Sequence, residues 1–199
     1  MSARRRPAIE RSAVATGRGD DGTTGLLYGG RIGKDDPRTE AYGSIDEAVA
    51  ALGLARVELD AAGLAELAAS VLRWQRELFV VGAELATNPG AADRLTDGVT
   101  RVTEQMLDGV EQELAHWESR IEMPREFVVP GETRASAALE LARTVLRRAE
   151  RRVIALERAV EVESGWIVPY LNRLADLAWV LARAAEQAEQ RSATPARSR

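Results

Sequence analysis

The sequence predicts an all-α protein: a five-helix antiparallel bundle of the ferritin-like, up-and-down kind, preceded by a glycine-rich loop. Three observations lead there. Of the 199 residues, 45% are apolar, chiefly Ala, Leu and Val, and only 5% are aromatic. That composition suits helix packing, because Ala and Leu have high helix propensity. From about residue 38 the apolar residues recur at helical spacing nearly to the end of the chain. Before that, the stretch from Thr16 to Pro37 carries Gly17, Gly19, Gly22, Gly25, Gly29, Gly30 and Gly33 with little apolar periodicity, which reads as a loop.

Each helix has its own signals. The first is expected from about Arg38 to Leu59, with Asp36 as cap, Pro37 at the first helical position, and Ile45, Val49, Leu52 and Val57 on the apolar face. The second runs from about Leu64 to Ala86, with Leu67, Val71, Leu78 and Leu85 inward and Asn88-Pro89-Gly90 as its stop. The third covers about Asp97 to Glu118 through Val99, Val102, Met106, Val110 and Leu114. An extended apolar plug, Phe127-Val128-Val129-Pro130-Gly131, separates it from a fourth helix over about Thr133 to Ala159, and the fifth spans about Pro169 to Gln190. Residues 16–190 thus form one domain, with residues 16–37 as the loop and 38–190 as the bundle, and amphipathic helices joined by loops imply the antiparallel arrangement.

Composition excludes several chemistries. With no cysteine there is no disulfide, thiolate nucleophile or sulfur-ligated zinc. His116 is the only histidine, which removes histidine-clustered metal sites and assigns it a structural or solvated role. Residues 1–15 hold Arg4, Arg5, Arg6 and Arg11 without an apolar stretch, so they read as a disordered basic tail rather than a secretory signal or transit peptide. Residues 191–199 read as a second frayed end. No apolar run reaches the ~18 residues a membrane span needs, and a cytoplasmic protein is expected.

The fourth helix carries the strongest charge signal. Arg143, Arg147, Arg148, Arg151 and Arg152 fall within ten residues of a chain whose net charge is −4. From Arg134 to Arg158 there are seven arginines against three glutamates, Glu140, Glu150 and Glu157. One reading is a solvated helix laced with Glu–Arg pairs. Another is an anion site, since arginine's planar fork suits bidentate phosphate contacts and the acidic partners are too few to neutralise it locally. A third, nucleic-acid binding, lacks interleaved aromatics and a broad basic surface. The glycine-rich loop is no Walker sequence, yet its glycines let backbone N–H groups approach phosphate. Thr16, Thr23 and Thr24 add hydroxyls, Asp20 and Asp21 offer ligands for Mg²⁺, and Lys34 follows.

Taken in order, five motifs make a pattern. They are the loop with Lys34-Asp35-Asp36-Pro37-Arg38, then Ala41-Tyr42-Gly43-Ser44-Ile45-Asp46-Glu47, the Phe127–Gly131 plug, the arginine helix, and Tyr170-Leu171-Asn172-Arg173-Leu174-Ala175-Asp176. Together, over roughly Thr16 to Ala185, they resemble the ATP:cob(I)alamin adenosyltransferases of the propanediol-utilisation type. The resemblance implies a homotrimer with sites between subunits. It also implies transfer of the 5′-deoxyadenosyl group of ATP to the cobalt of reduced cobalamin, with release of triphosphate. By the same resemblance, Thr16, Arg18, Gly19, Thr24, Gly25 and Lys34 lie in the ATP-binding segment. Arg147 and Arg151 face the triphosphate beside Arg148 and Glu150, and Asn172 completes the nucleotide site. Asp46 corresponds to a carboxylate that pairs with Arg143 across the subunit interface. Phe127 corresponds to the aromatic that displaces the lower axial ligand of the corrin. Co-substrates and partners follow: ATP with Mg²⁺, cob(II)alamin or cob(I)alamin, a flavin or similar reductase system, and an adenosylcobalamin-dependent enzyme that receives the product. Nucleic acid and membrane are not among them.

The chain departs from that pattern at five places. Gly17 stands where the family has lysine, with Arg18 next door, and Glu132 stands where it has a second glycine. Glu140 replaces a common histidine, Ala175 a common serine, and Pro169 precedes Tyr170. A carboxylate at Glu132 is expected to repel an anionic substrate, and Pro169 to shift the start of the fifth helix. The alternative function is a non-catalytic bundle that binds ATP or a corrinoid as sensor or carrier.

Overall fold

The computed structural model describes residues 12–160 and 165–197, and it is mainly helical. The expected tail at residues 1–15 lies largely outside the described residues. Helix α1, Pro37–Ala61, begins where Asp36 caps it by accepting a 2.8 Å hydrogen bond from the Arg38 amide. Helix α2, Ala65–Leu85, is followed by a short 3-10 turn over Pro89–Arg94, and then come α3, Glu104–Glu118, α4, Arg134–Val160, and α5, Ile167–Ala188. Helix α1 packs on α2 and α4, and α5 packs on α4 and α3.

The packing follows from the stripes. Ala41, Ser44, Ile45, Ala48, Leu52, Ala55 and Leu59 are buried along α1 at three- and four-residue spacing. Val57 is off that stripe and 59% exposed, so its expected place on the apolar face is corrected. On α4 the buried set includes Leu139, Ala142, Leu146, Ala149, Val153 and Leu156. Helix α5 buries residues round most of its circumference, as befits a central helix. Alanines at 41, 48, 55, 142 and 149, all fully buried, allow close approach of α1 and α4.

Helices α1 and α4 are also laced by ion pairs. Arg134 meets Glu58 at 2.9 Å, Arg148 meets Glu47, and Arg152 meets Glu40 at 3.0 Å. Partner numbers rise along α4 as they fall along α1, so the two helices run in opposite senses. A buried cluster joins α4 to α5. Arg183, 1% exposed, lies 3.3 Å from Glu140 and 2.8 Å from Glu186, and Arg143 Nε donates to Glu140 at 2.6 Å. Two arginines and two carboxylates balance there, which is the condition for burying charge.

Several boundaries differ from expectation. Helix α3 starts at Glu104, not near Asp97, because Gly98 takes φ 72° in a turn whose Thr96 carbonyl accepts three amides, and Val99 is 64% exposed. Thr103 then caps the helix through the Met106 amide. Helix α5 starts two residues before Pro169, not at it. Pro169 falls in the first turn, where an amide has no intrahelical acceptor, and the first bond is Tyr170 N–H to the Trp166 carbonyl at 2.9 Å.

Two small antiparallel pairings complete the fold. The loop folds into a hairpin, β1 Thr23–Gly25 against β2 Arg31–Gly33. The plug supplies β3, Val128–Val129, which pairs with β4, Thr194–Pro195. A segment whose composition reads as a frayed end is therefore backbone-paired as far as it is described. Among the described residues, no helix is long and apolar enough to cross a membrane.

Candidate functional site

The loop is built on its own polar side chains. Asp21 accepts from both the amide and the hydroxyl of Thr23, at 3.0 and 2.8 Å, and the hydroxyl bond holds its carboxyl below the ordinary value. Arg31, a residue the sequence reading did not single out, reaches back from β2. Its Nε donates to Thr23 Oγ1 at 2.9 Å and a terminal nitrogen to the Arg18 carbonyl at 2.6 Å. Lys34 donates its amide to the Gly22 carbonyl at 2.9 Å, and its ammonium lies so close to Gly19 that a Cβ there would sit 2.9 Å from Nζ. Gly19 thus leaves room for the lysine head, and Gly17 takes φ 65°, where a branched side chain is strained. The hairpin is anchored below: the Leu27 amide donates to the Ala86 carbonyl and the Leu27 carbonyl accepts from the Asn88 amide just past the end of α2, and Arg38 donates to the Leu85 carbonyl at 2.9 Å.

Asp21 is engaged by Thr23 and Arg31. No group of three or more His, Cys, Asp or Glu side chains converges among the described residues.

The arginines of α4 divide between two flanks. At 100° per residue, Arg148 and Arg152 face α1 and are taken up by Glu47 and Glu40. Their ion pairs run to α1 rather than to glutamates one turn away on α4. Arg143, Arg147 and Arg151 lie on another flank. Arg147 and Arg151 are exposed and meet no carboxylate among the described residues; the Arg151 guanidinium donates to the Arg147 carbonyl at 2.9 Å. Beside them Asn172 Nδ2 donates to Glu150 at 3.0 Å, tying α5 to α4, and Arg173 donates to Asn172 Oδ1 at 2.9 Å. The result is two exposed guanidinium groups with no carboxylate partner among the described residues, flanked by an amide tied to Glu150.

One turn earlier on α4 a cleft of about 480 Å³ opens between the plug and the helices, lined by Phe127, Val128, Pro130, Glu140, Arg143 and Trp179 among others. The Phe127 ring is 91% exposed. Trp179 stands seven residues after Asn172 on α5, a same-face spacing readable in the sequence. Glu132 does not line this cleft. It faces Arg191 at 3.9 Å in a separate polar cavity with Glu58 and Arg134.

Asp46 and Arg143 are not together within one chain. Asp46 is exposed on α1 at a groove with Leu27, Phe79 and Gly82, whereas Arg143 is held by Glu140 at the Phe127 cleft. Leu27 and Phe79 are themselves exposed. The lone His116 is half-exposed, 3.7 Å from Glu66 and edge-on to Trp117, a surface role as expected.

Comparison with known proteins gives a consistent result. The sequence pattern of the cobalamin adenosyltransferase family matches residues 14–185. A corrinoid adenosyltransferase of Citrobacter freundii is 39% identical, spanning 87% of this chain and 94% of its own length. A corrinoid adenosyltransferase of Bacillus subtilis (strain 168) is 38% identical, over 83% and 82%. Among solved structures, a variant of the PduO-type ATP:corrinoid adenosyltransferase of Lactobacillus reuteri, complexed with cobalamin and ATP, is similar with a TM-score of 0.81. It is 28% identical, covering 91% of this chain and 97% of that one.

Proposed function

The chain belongs to the cobalamin adenosyltransferase family, and from that premise we propose that it transfers the 5′-deoxyadenosyl group of ATP to the cobalt of cob(I)alamin, giving adenosylcobalamin and triphosphate. The observation that carries the reading is the division of the arginine helix. Arg148 and Arg152 pair with carboxylates of α1, while Arg147 and Arg151 are exposed beside the Asn172–Glu150 pair and meet no carboxylate among the described residues.

In this reaction Co(I) attacks the ribose 5′ carbon; the new Co–C bond forms as the C–O bond to triphosphate breaks. The nucleophile belongs to the substrate, so the protein needs no activated Ser, Cys or His. Its tasks are to hold carbon near cobalt and to stabilise the charge that develops on the leaving triphosphate. Arg147 and Arg151 serve the second task, with Arg148 and Glu150 alongside. Thr16, Arg18, Gly19, Thr24, Gly25 and Lys34 receive the nucleotide from the loop, and Asn172 orients it. An accompanying Mg²⁺ would neutralise part of the charge on the phosphates. Phe127 and its cleft receive the corrin and exclude water from the cobalt.

The finer architecture is part of the same reading: a five-helix antiparallel bundle that assembles as a homotrimer, with Asp46 of one copy reaching Arg143 of the next. The exposed apolar groove around Asp46 supports this, since such patches mark contact surfaces. A reductase supplies the electron that makes Co(I), and an adenosylcobalamin-dependent enzyme receives the product. Anaerobic incubation with cob(II)alamin, a reductant and ATP, followed by the corrinoid absorbance, tests the activity. The expected result is ATP-dependent conversion to adenosylcobalamin. Tight ATP binding without conversion would replace this reading by the sensor or carrier.

A further inference from the structure

The segment between α3 and α4 is held at several points by residues 187–196. At its start, Gln187 on the last turn of α5 clamps Glu122 twice: Oε1 accepts the Glu122 amide at 2.9 Å and Nε2 donates to the Glu122 carbonyl at 2.7 Å. At its end, Arg191 faces Glu132. Between these, Val128 and Val129 pair with Pro195 and Thr194, and the Ala196 amide donates to the Phe127 carbonyl at 2.7 Å. The Phe127 ring meanwhile is 91% exposed, so its own packing does not fix it. Its backbone is instead braced by pairing with residues 194–196.

We infer that the C-terminal strand is a strap that positions Phe127, with the Ala196 N–H as its key contact. This rests on the assignment of Phe127 to the corrin face. An aromatic that must displace an axial ligand has to resist being pushed back, and an exposed ring on an unbraced loop would yield. Strand pairing and a short amide–carbonyl bond supply that resistance without covering the ring. Ala196 is a positioning residue: only its amide matters, so its side chain is free to vary.

The test separates the amide from the side chain. Ala196→Pro removes the N–H in a strand already extended by Pro195, and Ala196→Ser keeps it. Phe127→Ala serves as the reference. The expected result is that Ala196→Pro lowers kcat about tenfold, a modest loss for a misplaced group, with the KM for ATP unchanged. It should also weaken the absorbance signature of base-off cob(II)alamin bound with ATP, and the Ser variant should match wild type. Amide hydrogen exchange at Val128 and Val129 should rise in Ala196→Pro alone. Wild-type behaviour of Ala196→Pro beside an impaired Phe127→Ala overturns the strap. Wild-type behaviour of Phe127→Ala overturns the corrin-face assignment beneath it. A KM for ATP that rises in parallel with the loss of kcat marks a general fold defect and also overturns the strap.

Discussion

Arg147 and Arg148 are neighbours in sequence with opposite fates, and the difference is one step of 100° round the helix. Arg148 is paired to Glu47, and Arg147 is exposed with no carboxylate against it among the described residues. Removing a guanidinium that meets a leaving group costs far more than breaking a surface pair. Arg147→Ala is therefore expected to lower kcat about 10²–10³-fold, whereas Arg152→Ala, which breaks the pair with Glu40, shifts stability by no more than about 1 kcal/mol and leaves turnover near wild type. Steady-state kinetics and urea unfolding of the two variants check both halves. The sequence showed that these arginines lie on one helix and that acids were too few near them. It did not show which ones α1 would neutralise, because Glu40 and Glu47 lie about a hundred positions away and meet α4 only after packing. Nor did it show Arg31, whose role depends on a hairpin that brings it back to Thr23.

At the scale of the element, the long helices were legible because their stripes are long: α1 and α4 repeat their buried positions over about five and six turns. The short elements were not. The β1–β2 hairpin has three residues a side and lacks apolar alternation, and β4 is two polar-looking residues near the chain end. Helix α3 was drawn too long because Val99 and Val102 fit a helical period, while the Asp97-Gly98 turn and the Thr103 cap carried the local decision. That cap is a testable point. Thr103→Ala should reduce stability by about 1 kcal/mol, the usual worth of an N-cap, with adenosyl transfer unaffected because α3 lies apart from the arginine flank. A denaturation midpoint equal to wild type would show that the cap contributes nothing.

Across the whole molecule, buried charge decides how stability responds to mutation and pH. Arg183 lies between Glu140 and Glu186 at the α4–α5 contact, with all three side chains almost wholly buried. Glu186→Ala leaves that guanidinium undercompensated and is expected to cost about 3–5 kcal/mol, read as a lowered midpoint in thermal or urea unfolding. Between α2 and α5, Glu77 accepts a 2.7 Å bond from the buried Tyr170 hydroxyl. Burial raises the Glu77 carboxyl above its ordinary value of 4.5, and burial likewise raises Glu84. A raised carboxyl stabilises the fold fully below the unfolded value, and that contribution is lost as pH climbs through the folded one. Glu77→Gln should then match wild type in stability at about pH 4 and gain relative to it as pH rises above 4.5 through the raised value. A gap that stays constant across that window would refute the burial argument.

Asp46 on the α1 groove and Arg143 at the Phe127 cleft belong to different faces of one chain. If each site is shared between copies, a chain lacking one of these residues still carries the other half intact. Two defective proteins, Asp46→Ala and Arg143→Ala, should then rescue each other when they are unfolded together and reassembled, because some junctions in the mixed trimers recover both side chains. Inheritance offers the same experiment: two different damaged alleles in one cell would complement, where two copies of either alone would not.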